Sequence, residues 1–188
     1  RQIISLVPFN SKIKSVSCGY THIAVVDEGG SLWVCGSIGV DLFENFSHGQ
    51  LGLGDVEEAG IFTRVPSNVR FTTVMCDHFQ MATIDVEGNL WACGENSYGR
   101  LGFGDTDDRN TLTQVPSDTT FQSVYFGENS MLALDVNGNL WSSGAHEFGS
   151  YRTLVKFNFV EQFSSFSCCE FYTAAIDYQG NLWVSGMG

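Results

Sequence analysis

The sequence predicts an all-β chain, a β-propeller of about four four-stranded blades. Three observations carry this reading. A Leu-Trp pair recurs four times in one frame, short apolar runs of strand length flank each pair, and no segment shows sustained apolar spacing at helical period. The pairs are Leu32-Trp33, Leu90-Trp91, Leu140-Trp141 and Leu182-Trp183, separated Trp to Trp by 58, 50 and 42 residues. Those spacings bracket the about 40 to 50 residues of a propeller blade and exceed most solenoid repeats.

Each unit is built the same way. An Asp stands six residues before each Trp (Asp27, Asp85, Asp135, Asp177), and a Gly lies between them at a fixed offset (Gly30, Gly88, Gly138, Gly180). Asp accepts local backbone hydrogen bonds and Gly takes a positive φ at little steric cost, so the segment is a tight hairpin turn. The runs Ile23–Val26, Met81–Ile84, Met131–Leu134 and Thr173–Ile176 supply the strand entering the turn. Leu-Trp-x-x-Gly supplies the returning strand, which its Gly ends. A further short strand lies eleven residues before each Asp, at Val16-Ser17-Cys18, Val74-Met75-Cys76, Val124-Tyr125-Phe126 and Phe166-Ser167-Cys168. Ahead of it stand Val7-Pro8, Val65-Pro66 and Val115-Pro116, where a residue that cannot donate to a ladder suits a strand end. The chain therefore reads as a single propeller region, 1–188, with blades over about 3–60, 61–110, 111–151 and 152–188 and the first strands near 13–18, 22–27 and 31–36.

Two units continue after the hairpin with Gly49-Gln50-Leu51-Gly52-Leu53-Gly54-Asp55 and Gly99-Arg100-Leu101-Gly102-Phe103-Gly104-Asp105. With the hairpin motif and the later Val-Pro, these boxes resemble the regulator of chromosome condensation repeat family. The resemblance implies a propeller, usually seven-bladed, used for nucleotide exchange on the small GTPase Ran, for protein scaffolding, or for inhibiting an enzyme by binding it. This sequence departs from the family pattern. The column that is typically His reads His22, Gln80, Ser130, Tyr172; the third unit has Gly149-Ser150-Tyr151 in place of the box; and the fourth has Phe157-Asn158 in place of Val-Pro. Repeats specify a fold, whereas exchange needs a site built on it.

Composition narrows the function. A chain of 188 residues that is 43% hydrophobic folds rather than remaining disordered. It lacks an apolar run long enough for a membrane span or the layout of a signal peptide, and it begins without Met, as a piece of a longer chain does. A net charge of −12 repels phosphate backbones, so no direct nucleic-acid contact and no membrane contact are expected, and the partner is another protein. The cysteines sit in packing columns: Cys18, Cys76 and Cys168 align with Phe126, and Cys35 and Cys93 with Ser143 and Ser185. Buried, reduced thiols are expected there, which favours a cytoplasmic or nuclear compartment.

The remaining candidates favour architecture over chemistry. The Trp residues share one offset and read as blade core, and the Gly-rich boxes lack the Lys-Ser/Thr ending of a phosphate loop. Asp105-Thr106-Asp107-Asp108 lacks the later bidentate Glu of a calcium loop and reads as a solvated loop. His22, His48, His78 and His146 have no recurring partner. No catalytic residue, cofactor or metal is expected, and the protein reads as a non-enzymatic interaction scaffold. The first unit's hairpin-to-box connection is eight residues longer than the others and holds Asp41, Leu42, Phe43, Glu44 and Phe46. Aromatic anchors with an acidic rim make these the candidate partner-binding residues, against the alternative that they fold back on the first blade.

Overall fold

Residues 6–37, 49–56, 58–146, 149–169 and 172–186 are described by a computed structural model of the chain. They form fifteen strands in four antiparallel sheets, each in simple sequence order. The first sheet is β1(Ile13–Cys18), β2(His22–Asp27), β3(Leu32–Ser37) and β4(Glu58–Arg64); the second is β5(Phe71–Asp77), β6(Gln80–Asp85), β7(Leu90–Gly94) and β8(Arg109–Gln114). The third is β9(Phe121–Phe126), β10(Ser130–Asp135), β11(Leu140–His146) and β12(Gly149–Lys156). The fourth shows three strands, β13(Phe163–Cys168), β14(Tyr172–Asp177) and β15(Leu182–Gly186). A single turn of 3₁₀ helix at Ser97–Gly99 is the only helix among the described residues, and none is long enough to cross a membrane.

The hairpin turns form as the Asp and Gly columns predict. In the second sheet, Asp85 Oδ1 accepts from the Glu87 and Asn89 amides, and Oδ2 accepts from Asn89 Nδ2 and, at 3.0 Å, from Trp91 Nε1. The same Asp-to-indole bond recurs at Trp33, Trp141 and Trp183. The six-residue spacing thus ties turn to strand, because one carboxylate closes the turn and holds the indole of the returning strand. Trp33, Trp91 and Trp141 are half-buried; Trp91 and Trp141 pack at the rim of the core and Trp33 against Phe9, and their polar edge turns to the carboxylate, which is why they do not fill the core's centre. Gly88 sits at φ 87°, and a Cβ there would meet Thr120 of the next sheet at 2.8 Å.

Pairing moves one element relative to the sequence reading. The strand leading into each Val-Pro closes the preceding sheet: β4 pairs with β3 and β8 with β7. Val65 and Val115 then donate their amides to Leu32 O and Leu90 O, and Phe157, in the Val-Pro column, makes the same bond to Leu140 O. The column therefore fixes where one sheet ends and the chain steps to the next.

The core lies between sheets, not within them. Val26, Leu32 and Val34 of the first sheet pack on Phe71, Val74 and Met81 of the second. Ile84, Leu90 and Ala92 pack likewise on Phe121, Val124 and Met131, and Leu134 and Leu140 on Phe163 and Phe166. The first strands adjoin one another, β1 with β5, β5 with β9 and β9 with β13. Ser15 and Ser17 hydroxyls accept the Val74 and Cys76 amides across the first of these seams, at 3.1 and 2.8 Å. Each hairpin Gly also reaches the next sheet: Gly30, Gly88 and Gly138 carbonyls accept the Phe71, Phe121 and Phe163 amides, each at 2.8 Å. Successive sheets joined face to face in this way are the blades of a propeller.

Candidate functional site

The turns after β1, β5 and β9 and the connections from β3 to β4 and from β7 to β8 emerge at one end of the strands, the connection end, whereas the steps from sheet to sheet after β4 and β8 lie at the hairpin end. The Gly-rich boxes at the connection end act as buckles. The 49–55 box leaves the first sheet and pairs with the second: Leu53 bridges Thr111, Gly54 donates to Asn110 O, and Leu51 is buried in the first interblade core. Gly49 has φ 75° and lies against the Asn110 backbone, where a Cβ would fall 2.3 Å from the Asn110 Cα, so only Gly allows this approach. The 99–105 box repeats the device on the third sheet, with Phe103 bridging Thr153, Gly104 donating to Arg152 O and Ser143 Oγ donating to Arg100 O at 2.7 Å. The boxes are structural connections, as their sequence indicated.

The third unit has no buckle. Only residues 147 and 148 separate β11 from β12, too few for a box, and a cavity of about 270 Å³ stands between the third and fourth sheets. Leu140, Phe157, Phe163, Thr173, Trp183 and Ser185 are among its lining residues. Ser185 belongs to the column of Cys93, which touches the first box, and of Ser143, which touches the second. The space therefore corresponds to the place the buckles fill in the other two junctions.

This end of the molecule carries an aromatic group that sequence reasoning missed. Tyr20, in the turn after β1, is exposed, stacks on His78 and makes an edge contact with Phe79 in the equivalent turn of the second sheet. Tyr98 is also exposed and holds φ 65°, the only positive φ at a non-glycine among the described residues. No motif announces these residues. Their only sequence signal is their position in the turns that break the repeat.

Charge is unevenly divided between the two ends. The connection end holds Asp55, Glu58, Asp77, Glu95, Asp105, Asp107, Asp108 and Glu128. Two of its arginines are engaged: Arg109 pairs with Asp105 at 2.7 Å, and buried Arg100 lies 3.6 Å from Glu95 and donates to Asn129 Oδ1, while Arg152 is exposed beside Gly99. The Arg109 bond, opposed by desolvation and joined by the Asp107 amide, holds the Asp105 carboxyl below its ordinary range. The opposite end exposes Lys12, Arg64, Arg70 and Lys156 among its acids.

The predicted partner-binding residues Asp41, Leu42, Phe43, Glu44 and Phe46 lie outside the described residues. The flanks of their segment stand on the connection end, held together by Gln50 Nε2, which donates to Thr21 Oγ1 and Ser37 O at 3.4 Å. No group of His, Cys, Asp or Glu arranged for a metal occurs among the described residues. In the Asp105–Asp108 loop, Asp105 accepts from Asn96 Nδ2 and Asp108 accepts the Asn96 amide at 2.8 Å, so these carboxylates organise the loop itself. All six cysteines are free thiols. Cys76 and Cys93 are buried and burial raises both, Cys76 to about 12. Cys18, expected to be buried, is exposed, because among the described residues nothing packs on the side of the first sheet that its column covers elsewhere.

The Regulator of chromosome condensation (RCC1) repeat matches the sequence over residues 87–134, and a second profile of the same repeat matches 13–37. No curated protein matches the chain. Among solved structures, human WBSCR16 superposes with a TM-score of 0.82 at 18% identity, covering 98% of this chain and 50% of that one. Prp20p from Saccharomyces cerevisiae, a structure reported with its binding properties to Gsp1p and histones, gives 0.76 at 19% identity, covering 97% and 47%. Yeast RCC1 (Prp20) crystallised with Kap60 gives 0.77 at 19%, covering 97% and 45%. The chain thus spans about half the length of these structures. The regulator of chromosome condensation repeat is matched in two stretches of the chain, 13–37 and 87–134, and the chain shares the propeller fold of these structures.

Proposed function

We propose that this chain is a non-enzymatic interaction propeller that takes a basic protein partner on its connection end. The observation that supports this most is the coincidence, on one end, of exposed aromatics (Tyr20, Tyr98) with a concentration of carboxylates that outnumber the arginines there, two of which, Arg100 and Arg109, are already paired. Aromatic side chains supply contact area at an interface, and the surrounding acids steer and select a basic surface. The insertion with Asp41, Leu42, Phe43, Glu44 and Phe46 adds anchors to the same end, since its flanks Ser37 and Gly49 stand there. That Prp20p has binding properties to histones, which are basic proteins, agrees with the sign of the charge. The reading places the protein in the cytoplasm or nucleus.

The expected test result is that Phe43→Ala with Phe46→Ala weakens partner binding by at least about 2 kcal/mol with little change in thermal stability, as for interface hot spots. A loss of melting temperature with unchanged affinity assigns the two rings to the first blade instead. A second reading, exchange on a Ran-like GTPase, draws on the likeness to Prp20p and its binding to Gsp1p. It predicts accelerated release of labelled GDP from such a GTPase, and no acceleration across a panel leaves the interaction role alone.

A further inference from the structure

The turn after β5 departs from the repeat. Asp77 stands where the other units have Gly19, Gly127 and Cys169. The next residue, His78, stacks on Tyr20 of the turn after β1, with the two rings 25° from parallel and their centroids 6.2 Å apart. Asp77 Oδ2 lies 3.2 Å from His78 Nδ1. The backbone fixes this arrangement. The Tyr20 amide donates to His78 O at 3.2 Å, the Gly19 amide donates to His22 O at 2.8 Å, and a Cβ at Gly19 would fall 2.6 Å from Asp77 O, so the two turns touch. Tyr20 is 74% exposed, and the side chains of His78 and Asp77 are 54% and 32% exposed. Among the described residues, no lysine or arginine pairs with Asp77 or lies over Tyr20 or His78.

We propose that Tyr20, His78 and Asp77 form a receptor for one arginine side chain of the partner; this rests on the reading that a basic protein docks on the connection end, and it gives that docking a specific contact. The chain satisfies the same chemistry internally at its second box. There the Arg109 guanidinium lies 4.4 Å from the Phe103 ring centre and donates to Asp105 Oδ2 at 2.7 Å. The first junction offers the same two components, a π face and a carboxylate beside it, without a cation of its own. Arginine fits this pair better than lysine. A planar guanidinium lies flat on a ring while its edge donates to a carboxylate, whereas an ammonium is a compact, strongly hydrated charge. The bond between the turns holds the rings in place before binding, so little ordering is left to be done when the arginine arrives. Asp77, with two thirds of its side chain covered, is also less screened by salt than a fully exposed carboxylate.

The experiment titrates two synthetic peptides of equal length and charge into the chain, one with arginine and one with lysine at every basic position, and follows binding by calorimetry. The same titrations are made on Tyr20→Ala, Tyr20→Phe, Asp77→Asn and, at the hairpin end, Glu28→Gln. The parent should bind the arginine peptide at least about tenfold more tightly than the lysine peptide. Tyr20→Ala and Asp77→Asn should each bring the two peptides within about twofold of one another, while Tyr20→Phe, which keeps the π face, and Glu28→Gln should retain the preference. Unchanged melting temperatures check that the variants fold, as expected for side chains this exposed. Equal binding of both peptides by the parent would overturn the arginine receptor and leave a basic partner on this end. A preference that survives Tyr20→Ala or Asp77→Asn would overturn it as well, by placing the arginine elsewhere. Failure of both peptides to bind would overturn the receptor together with the basic-partner reading.

Discussion

Asp135, nearly inaccessible to solvent, accepts hydrogen bonds from the Asn137 and Asn139 amides, from Asn139 Nδ2 and from Trp141 Nε1. Desolvation raises its carboxyl, but the hydrogen bonds outweigh that and hold it below the ordinary range, as at Asp85. Asp135→Ala leaves several donors unpaired and should lower unfolding free energy by about 3 kcal/mol, measurable by urea titration followed by tryptophan emission. His22 is a different case. Burial pushes its imidazole down from 6.5 to about 4, against the opposing Gln80 backbone and Asp77 charge. The unfolded chain therefore binds the extra proton between those values, so the stabilisation is complete above pH 6.5 and is lost as pH falls toward 4. The loss is on the order of 3 kcal/mol, and His22→Gln, which installs the residue of the second unit, should flatten the curve over that window. The Asp-to-Trp link was legible as spacing, but its bond was not, because six residues of separation do not show that the two side chains meet around the turn.

The strands were the most legible elements, since alternating sheets impose their columns on every unit: β1, β2 and β3 begin within one residue of the expected positions. What the columns conceal is which sheet a connecting strand joins. Val-Pro marks a boundary, and only pairing shows that β4 and β8 belong before it. The buckles have a measurable consequence. The first two junctions each have a box clasping the next sheet and a larger buried cluster, whereas the third has a cavity there. In repeat proteins stability is a sum of unit and interface contributions, so the fourth sheet should open first. Native-state hydrogen exchange should show β13 and β14 amides exchanging at least about tenfold faster than those of β5 and β6, a difference of about 1.4 kcal/mol. Equal protection would mean that the buckles add nothing to the junctions they span.

At the scale of the whole molecule, the net charge of −12 foretold an acidic protein but not where the acid gathers. That depends on antiparallel order, which brings the turns after β1, β5 and β9 and the connections after β3 and β7 to one end. The aromatic group was illegible for the same reason, since Tyr20 and His78 are 58 residues apart in the chain and touch only because successive sheets pack face to face. The two ends also supply an internal control. Titrating histones as a basic probe into the parent chain, into Tyr20→Ala with Asp77→Asn and Glu128→Gln, and into Glu28→Gln with Glu87→Gln compares the ends in one protein. Binding should weaken at least about tenfold in the connection-end variant and stay within about twofold in the other. Equal losses at both ends, or undiminished binding by the connection-end variant, would contradict the assignment of the partner to that end.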